Sequence, residues 1–473
     1  MQMLLLLPEL ILCLMVLVLF FGTLFPGRAH LLPPLATGFS LLSLAGALFA
    51  LGQEGMLFFD TYRVDLFTQL FKILITLGLL LTLWAGSGLR GIRENLRPEY
   101  QLFLAVATLG MVLLASAHEL LTILLSLEIA AFALYVIIPF RHLTLHRTHL
   151  EAAIKYLIFG AVTTGVLLFG MSYLFGLGNS TLLGELALVL PSLTRTQPLA
   201  VVGMVLLLCG LFYKLALFPM HFLTPDVYEG SANETAAFIA TLPKIAVVAV
   251  IIRLVSLAGD GAERLTWILA IFAVLSMTVG NLSALVQNDL KRLLAYSSIA
   301  HAGYVMIGVL SVNQLGFAAA IYYMLGYLLM NLACFFVIYQ LAPEGENLTF
   351  DHLTGLYRRS PLLACTLAVG AFGLTGIPPT IGFTGKFLVF TAAIQRGFYA
   401  LVILAVINSA ISAFYYLKLV RAAYRQVDDP GGKVRLGFPA TILALFLLAA
   451  IILAGILPQV FITLAKEAVA GMP

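Results

Sequence analysis

The chain predicts an all-α polytopic membrane protein with about 14 transmembrane helices. Of its 473 residues, 62% are hydrophobic and 10% charged, whereas a soluble domain carries about 25% charged residues, so polar surface is too scarce for a water-soluble globule. The apolar residues also come in runs of bilayer length, about 20 residues for each crossing. The basic residues between those runs gather on alternate joints.

Spans are expected near 4–25, 31–51, 65–86, 101–117, 119–140, 150–175, 198–219, 235–258, 264–286, 294–312, 315–341, 361–395, 398–424 and 438–465. No Lys or Arg precedes the first run. A cleavable signal needs a basic leader, so this run is expected to be retained, with its N-terminus outside. Spans four and five nearly merge. The segment between spans six and seven, from Ser180 to Pro198, is short and contains Pro191, which favours a surface helix. Pro378 and Pro379 divide the long twelfth span, and Pro219 lies at the end of the seventh, so broken helices are expected at both. Short polar joints such as Gly86 to Pro98, Arg141 to Thr148, Gln287 to Arg292 and Val427 to Gly437 separate the runs.

Charge placement agrees with this count. Fourteen Lys and Arg residues fall at joints that follow odd-numbered spans and six on the other side, while the remaining six lie within spans. The positive-inside rule then sets both termini outside. The formal net charge is only +4, and its basic residues are spread over many loops, which excludes a nucleic-acid patch. Cys13, Cys209, Cys334 and Cys365 lie in apolar segments without CxxC spacing, so they are expected to be small core residues and not a disulfide or iron–sulfur set.

The intramembrane charges carry the functional information. An ionisable group near the bilayer centre costs roughly 2.5–3.5 kcal/mol on the mildest scale, so it normally faces protein or water and marks an ion or proton path. Lys214, Lys244 and Lys386 each adjoin a helix breaker: Pro219, Pro243, and Pro378 with Pro379. Glu128 sits about nine residues into span five, beyond reach of the surface, and needs a cationic partner to remain charged. His301 in span ten has the chemistry of a relay. Lys72 and Lys418 lie near span ends and are expected to snorkel to the headgroups. Lys155 and Lys418 are additional candidates for the same path.

Spacing supplies a second argument. The intervals Lys214 to Lys386, Glu128 to His301 and Lys244 to Lys418 are 172, 173 and 174 residues, equal to five spans. An odd number of crossings reverses orientation, so two inverted five-helix repeats are expected, spans 4–8 and 9–13. One membrane domain then divides into residues 1–100, a first repeat at 101–258, a second at 259–424 and a last segment at 425–473.

The stretch YKLALFPMHFLTPDVYEG from Tyr213 to Gly230, with LPKIAVVA from Leu242, LLAYSSIAHAGY from Leu293 and GIPPTIGFTGKF from Gly376, resembles the antiporter-like subunit N family of proton-pumping NADH:quinone oxidoreductase (complex I). The resemblance covers nearly the whole chain. It implies that Glu128 and Lys214 are the family's charged pair, Lys244 its central lysine and Lys386 the lysine near the outlet. It implies no cofactor in this chain, with quinone, NADH, FMN and iron–sulfur clusters in partner subunits. Those partners are other membrane and peripheral subunits of complex I, particularly antiporter-like and small membrane subunits, in a bacterial inner membrane. One departure is that SANETAAF follows Gly230 where the family has a proline-containing turn.

Physically, a carboxylate near Lys214 favours its ammonium, so separating the two would push a proton toward Lys244 and finally out past Lys386. Internal water is required, because these side chains lie on different helices. Two other readings remain at this level. A multisubunit cation/proton antiporter would use the same lysines, and a non-transporting scaffold would use buried charges only to fix helix packing.

Overall fold

A computed structural model describes residues 2–142, 148–259, 263–342, 344–427 and 432–471. The joints expected at Arg141 to Thr148 and Val427 to Gly437 fall partly outside these residues. The first three long helices are α1 (Leu7–Thr23), α2 (Leu32–Phe49) and, after a short hairpin of β1 (Gly55–Leu57) and β2 (Tyr62–Val64), α3 (Leu66–Ala85). Then come α4 (Arg97–Ser116), α5 (Leu120–Ile137), α6 (Thr148–Gly178) and the short α7 (Leu183–Thr196). Next are α8 (Pro198–Leu215), α9 (Thr224–Gly230) and α10 (Asn233–Leu257), followed by α11 (Glu263–Leu285), α12 (Leu290–Leu310) and α13 (Gln314–Leu341). The chain ends with α14 (Pro361–Thr375), α15 (Ile381–Gln395), α16 (Tyr399–Tyr424), α17 (Phe438–Ile456) and α18 (Gln459–Ala470).

Helix starts follow local chemistry. Asp65 accepts from Thr68 N–H at 2.8 Å, Glu119 from Thr122 N–H at 2.7 Å and Asp289 from Arg292 N–H at 2.9 Å, so acidic side chains satisfy amides that have no intrahelical partner. Only Ala117 to Glu119 parts α4 from α5, and the Glu119 cap makes that near-merger two helices. Among the described residues, twelve helices are long and apolar enough to cross a membrane, and Leu7–Thr23, Pro361–Thr375 and Ile381–Gln395 are shorter apolar helices. In α10 and α13 the whole apolar window is buried, while α6, α16 and α17 expose large side chains such as Phe169, Phe414 and Phe446. The bundle therefore has an inner layer with no lipid face. Lys244 lies on it.

Both expected breaks exist. After Lys214, α8 stops at Leu215, Ala216 turns left-handed (φ +64°), and the chain resumes as the single-turn α9. Likewise α14 ends at Thr375, Gly376 turns left-handed (φ +91°), and α15 begins at Ile381.

Three expectations change. The last span is shorter, because Pro458 ends it and 459–470 forms a separate helix. The β1–β2 hairpin interrupts an otherwise all-α chain, with Phe58, Phe59 and Asp60 at positive φ in its turn. Of the four cysteines only Cys209 and Cys334 are core residues; Cys13 and Cys365 lie on the exposed apolar surface.

Close contacts recur along the chain, but at intervals other than 172–174. A Cβ at Gly110 would fall 2.6 Å from the Ala130 amide, and one at Gly280 would fall 2.7 Å from the Ala300 amide, 170 residues later. The acidic caps Glu119 and Asp289 are also 170 apart. At the breaks the interval is 160. Leu217 N–H donates to Phe212 O as Ile377 N–H does to Phe372 O, and left-handed Ala216 matches Gly376. These intervals pair Glu128 with Ser298 and Lys214 with Leu374, so the equal spacing of the charged residues was not the spacing of equivalent positions. Lys214 precedes its break, whereas Lys386 follows its own.

Candidate functional site

Lys214 emerges where α8 ends, inside a cage of three tyrosines. Its Nζ donates to Tyr135 Oη at 3.3 Å and lies 4.9, 4.8 and 5.1 Å from the ring centres of Tyr135, Tyr156 and Tyr213. Tyr156 stacks on Tyr213 and meets Tyr135 edge-on. Aromatic faces attract a cation more strongly when it is desolvated, so the cage stabilises an ammonium without fixing a counter-charge.

Glu128 is not in direct contact with that ammonium. Its Oε1 accepts from Thr164 Oγ1 at 2.6 Å, and the ion pairs within 4.0 Å among the described residues do not include it. The expected charged pair is therefore open in this structure. Tyr135 stands seven residues from Glu128 along α5, two turns away on the same face. It touches Lys214 instead.

A cavity of about 310 Å³ separates Lys214 from Lys244, and both line it, together with Tyr156, Tyr213, Tyr228 and Ile239. It is polar enough to hold water. Pro243 contributes to that polarity, because it has no N–H to give to the carbonyl of Ile239 four residues before it.

Lys244 is buried at 2% exposure. Its Nζ donates to Ser298 Oγ, which also meets Tyr327 Oη at 2.6 Å and Tyr228 Oη at 3.3 Å. Ser298 is one turn before His301, so α12 carries the row onward. His301 Nδ1 faces Tyr323 Oη at 2.7 Å, and its Nε2 faces Tyr416 Oη at 3.1 Å. Both ring nitrogens thus have hydroxyl partners able to donate or accept. A further turn along α12, Tyr304 places its ring 4.6 Å from Lys386 Nζ. Ser298, His301 and Tyr304 step along one helix at three-residue intervals, covering about 9 Å at 1.5 Å per residue.

Lys386 caps the first half of the broken helix. Its Nζ donates to the carbonyls of Leu374 (3.1 Å) and Thr375 (2.8 Å) and to Ser409 Oγ (3.0 Å). The C-terminal carbonyls of a helix attract a cation, and here they are open because the helix stops. Leu374 is the residue that the 160-residue interval pairs with Lys214. An ammonium therefore stands at the end of each first half-helix, reaching it from before one break and from beyond the other.

The two additional candidates sit apart from this row. Lys155 is bound by Glu151 at 2.6 Å and Asp226 at 2.9 Å, and is about one-third exposed. Asp226 also holds Arg292 at 3.1 Å, so Lys155 belongs to a charged cluster at the end of the bundle. Lys418 lies over the Phe350 ring at 4.2 Å and lines an open surface pocket with Arg421 and Arg425. Lys72 departs from expectation. It does not snorkel, but is buried against Glu9 at 2.6 Å. The tyrosines were not anticipated either. Nothing in a run of apolar residues separates a lining tyrosine from a packing one, although Tyr323 and Tyr327 at helical spacing were visible.

Residues 117–412 match the family described as NADH:quinone oxidoreductase/Mrp antiporter, transmembrane. The chain is 46% identical over 454 residues to NADH-quinone oxidoreductase subunit N 2 of Opitutus terrae, covering 96% of this chain and 95% of that one. It is similar to a chain of respiratory complex I from Thermus thermophilus with bound aureothin, at 34% identity and TM-score 0.83, covering 97% and 99% of the two chains. A chain of the Mrp complex from Dietzia sp. shares the fold at TM-score 0.89 and 18% identity, covering 100% and 98%.

Proposed function

The chain belongs to the NADH:quinone oxidoreductase/Mrp antiporter transmembrane family, and from that membership we propose that its buried row carries protons across the membrane when quinone is reduced elsewhere in a complex I-type assembly. It acts as a membrane subunit of NADH:quinone oxidoreductase. The partners are other subunits of that complex, and NADH, FMN, iron–sulfur clusters and quinone belong to them. The setting is a bacterial inner membrane, with both termini outside.

One observation carries the reading. From Lys214 through the cavity to Lys244, Ser298, His301, Tyr304 and Lys386, ionisable or hydroxyl groups follow one another through the protein interior. A scaffold needs buried charges that are paired, whereas these lysines are held by hydroxyls, carbonyls and rings, and so remain free to lose a proton.

The steps follow from the contacts. Glu128, held by Thr164, sets the potential at Lys214, and a shift of Glu128 toward or away from the tyrosine cage changes how firmly that ammonium keeps its proton. Water in the cavity passes the proton to Lys244. From there Ser298 and Tyr327 connect to His301, and Lys386 receives it where α14 ends. The N–H bond at one lysine breaks as an N–H forms at the next, with hydroxyls or water exchanging protons between them. We count fourteen crossings by taking α14 with α15 as one and adding α1, and we divide residues 101–424 into two inverted units. The recurring contacts at 170 and 160 residues support that division.

The sequence relatives favour this reading over a cation antiporter, since the Mrp likeness is one of fold alone. Sealed vesicles containing the intact complex decide the matter. NADH oxidation in sodium-free medium is expected to build a proton gradient that Lys386→Met removes; a gradient that requires sodium would favour the antiporter.

A further inference from the structure

A second set of buried ionisable groups lies outside the central row, at the end of the bundle where α3 begins and α10 finishes. Glu9 on α1 and Lys72 on α3 form an ion pair at 2.6 Å with side chains 5% and 1% exposed. Tyr62 of β2 donates to the same Glu9 oxygen at 2.6 Å, and the Lys72 ammonium lies 5.2 Å from the Tyr62 ring centre. Three ionisable groups from three elements thus share one carboxylate.

The pair is not closed off. Glu9 Oε2, Lys72 Nζ, Ser116 Oγ and His118 Nδ1 are all buried without a hydrogen-bond partner. Ser116 stands beside the Tyr62 hydroxyl. His118 follows two residues later, and its N–H donates to Thr61 O at 2.8 Å. Buried polar atoms are ordinarily satisfied by protein or ordered water, so four open ones in a single neighbourhood mark water positions.

Beyond them the polar contacts continue to the surface. Arg253, buried on α10, donates to the Ala117 carbonyl and to Asp65 at 3.2 Å each. Asp65 also holds Arg63 at 2.9 Å, and Arg63 reaches the exposed Gly471 carbonyl at 2.7 Å. The groups facing Glu9 and Lys72 are therefore Cys13 one turn along α1, Tyr62, Arg63 and Asp65 of the hairpin and α3 cap, His118 after α4, and Arg253 of α10.

We propose that Glu9 and Lys72 form a second, peripheral proton-binding site that exchanges with the outer face through Tyr62, Ser116, His118 and water. The site relies on the proton-translocation reading for its effect on pumping, but its titration is a property of these residues alone. In the exchange step an N–H bond of the Lys72 ammonium breaks and an O–H bond forms on Glu9, leaving a neutral amine and a carboxylic acid. The acid then gives its proton to water on the Ser116 side. No electrons are transferred. Two neutral groups avoid the cost of two buried charges, so the states lie close enough to interconvert.

The experiment compares the intact wild-type complex with Glu9→Gln by infrared difference spectroscopy between acidic and neutral pH. The expected result is a protonated-carboxyl band in the wild type that E9Q lacks, with a lower proton-to-electron ratio in both E9Q and the double variant Glu9→Gln/Lys72→Met. Identical spectra would overturn the site. So would a double variant that pumps at the full ratio, the outcome for a purely structural pair. If E9Q does not assemble, Tyr62→Phe replaces it: a shifted carboxyl band is expected, and an unshifted one overturns the proposal. An intact Glu9 band in a complex whose pumping ignores Lys244→Met would instead refute the central row while leaving this site standing.

Discussion

Ser298 holds the Lys244 ammonium and at the same time meets the hydroxyls of Tyr327 and Tyr228. Ser298→Ala removes that junction and leaves a buried ammonium short of a partner, which costs more than a neutral hydrogen bond, on the order of 1–3 kcal/mol. Slower NADH-driven proton flux with normal assembly is expected, measured in sealed vesicles; an unchanged rate would remove Ser298 from the path. His301→Gln keeps amide hydrogen bonds toward Tyr323 and Tyr416 but cannot carry a charge. It is expected to lower flux more than it lowers complex stability, and equal losses of both would mark His301 as a packing residue. The lysines, Glu128 and His301 were legible in the sequence because charge stands out against an apolar background. Tyr135, Tyr156 and Tyr327 were not, because tyrosine is equally at home in packing. Glu9 was missed because a carboxylate in the first turn of a first helix reads as surface, and only the fold brings α3 and β2 over it.

At the level of elements, the two broken helices set where the ammonium groups stand. Gly376 ends α14 at φ +91°, and a Cβ there would lie 3.0 Å from Lys386 Cδ. Gly376→Ala is expected to cost about 1–2 kcal/mol for the left-handed backbone alone and to displace Lys386 from the Leu374 and Thr375 carbonyls. The measurable outcome is a lower thermal midpoint of the purified complex together with weaker pumping; wild-type values for both would separate the turn from the site. The breaks were readable, since proline inside a long apolar run leaves few alternatives. The repeat was read at the wrong interval. Charged residues such as Lys214 and Lys386 reach similar places from different positions, whereas the 170- and 160-residue intervals come from backbone contacts that no residue type announces. The β1–β2 hairpin was invisible for a related reason: GMLFFDTYRV is too apolar to advertise a turn.

For the whole molecule, burial orders the bundle around α10 and α13, so the path runs through helices that never meet lipid. That placement lets lysines remain in a membrane protein without snorkelling. The basic joints set both termini outside, and a protease site appended after Pro473 is expected to be cut from the outer side of right-side-out vesicles; cutting only in inverted vesicles would reverse the orientation. The fold class followed from composition and run length, since hydrocarbon thickness fixes both. Packing order and the contacts across it did not, because an apolar run has the same signature whether it faces lipid or protein. The central claim is that Lys244 is an obligatory proton carrier between the two halves of the row. The most direct test is the proton-to-electron ratio of the assembled complex carrying Lys244→Met. A ratio well below that of the wild type is predicted, and an unchanged ratio at normal NADH oxidation would contradict the account.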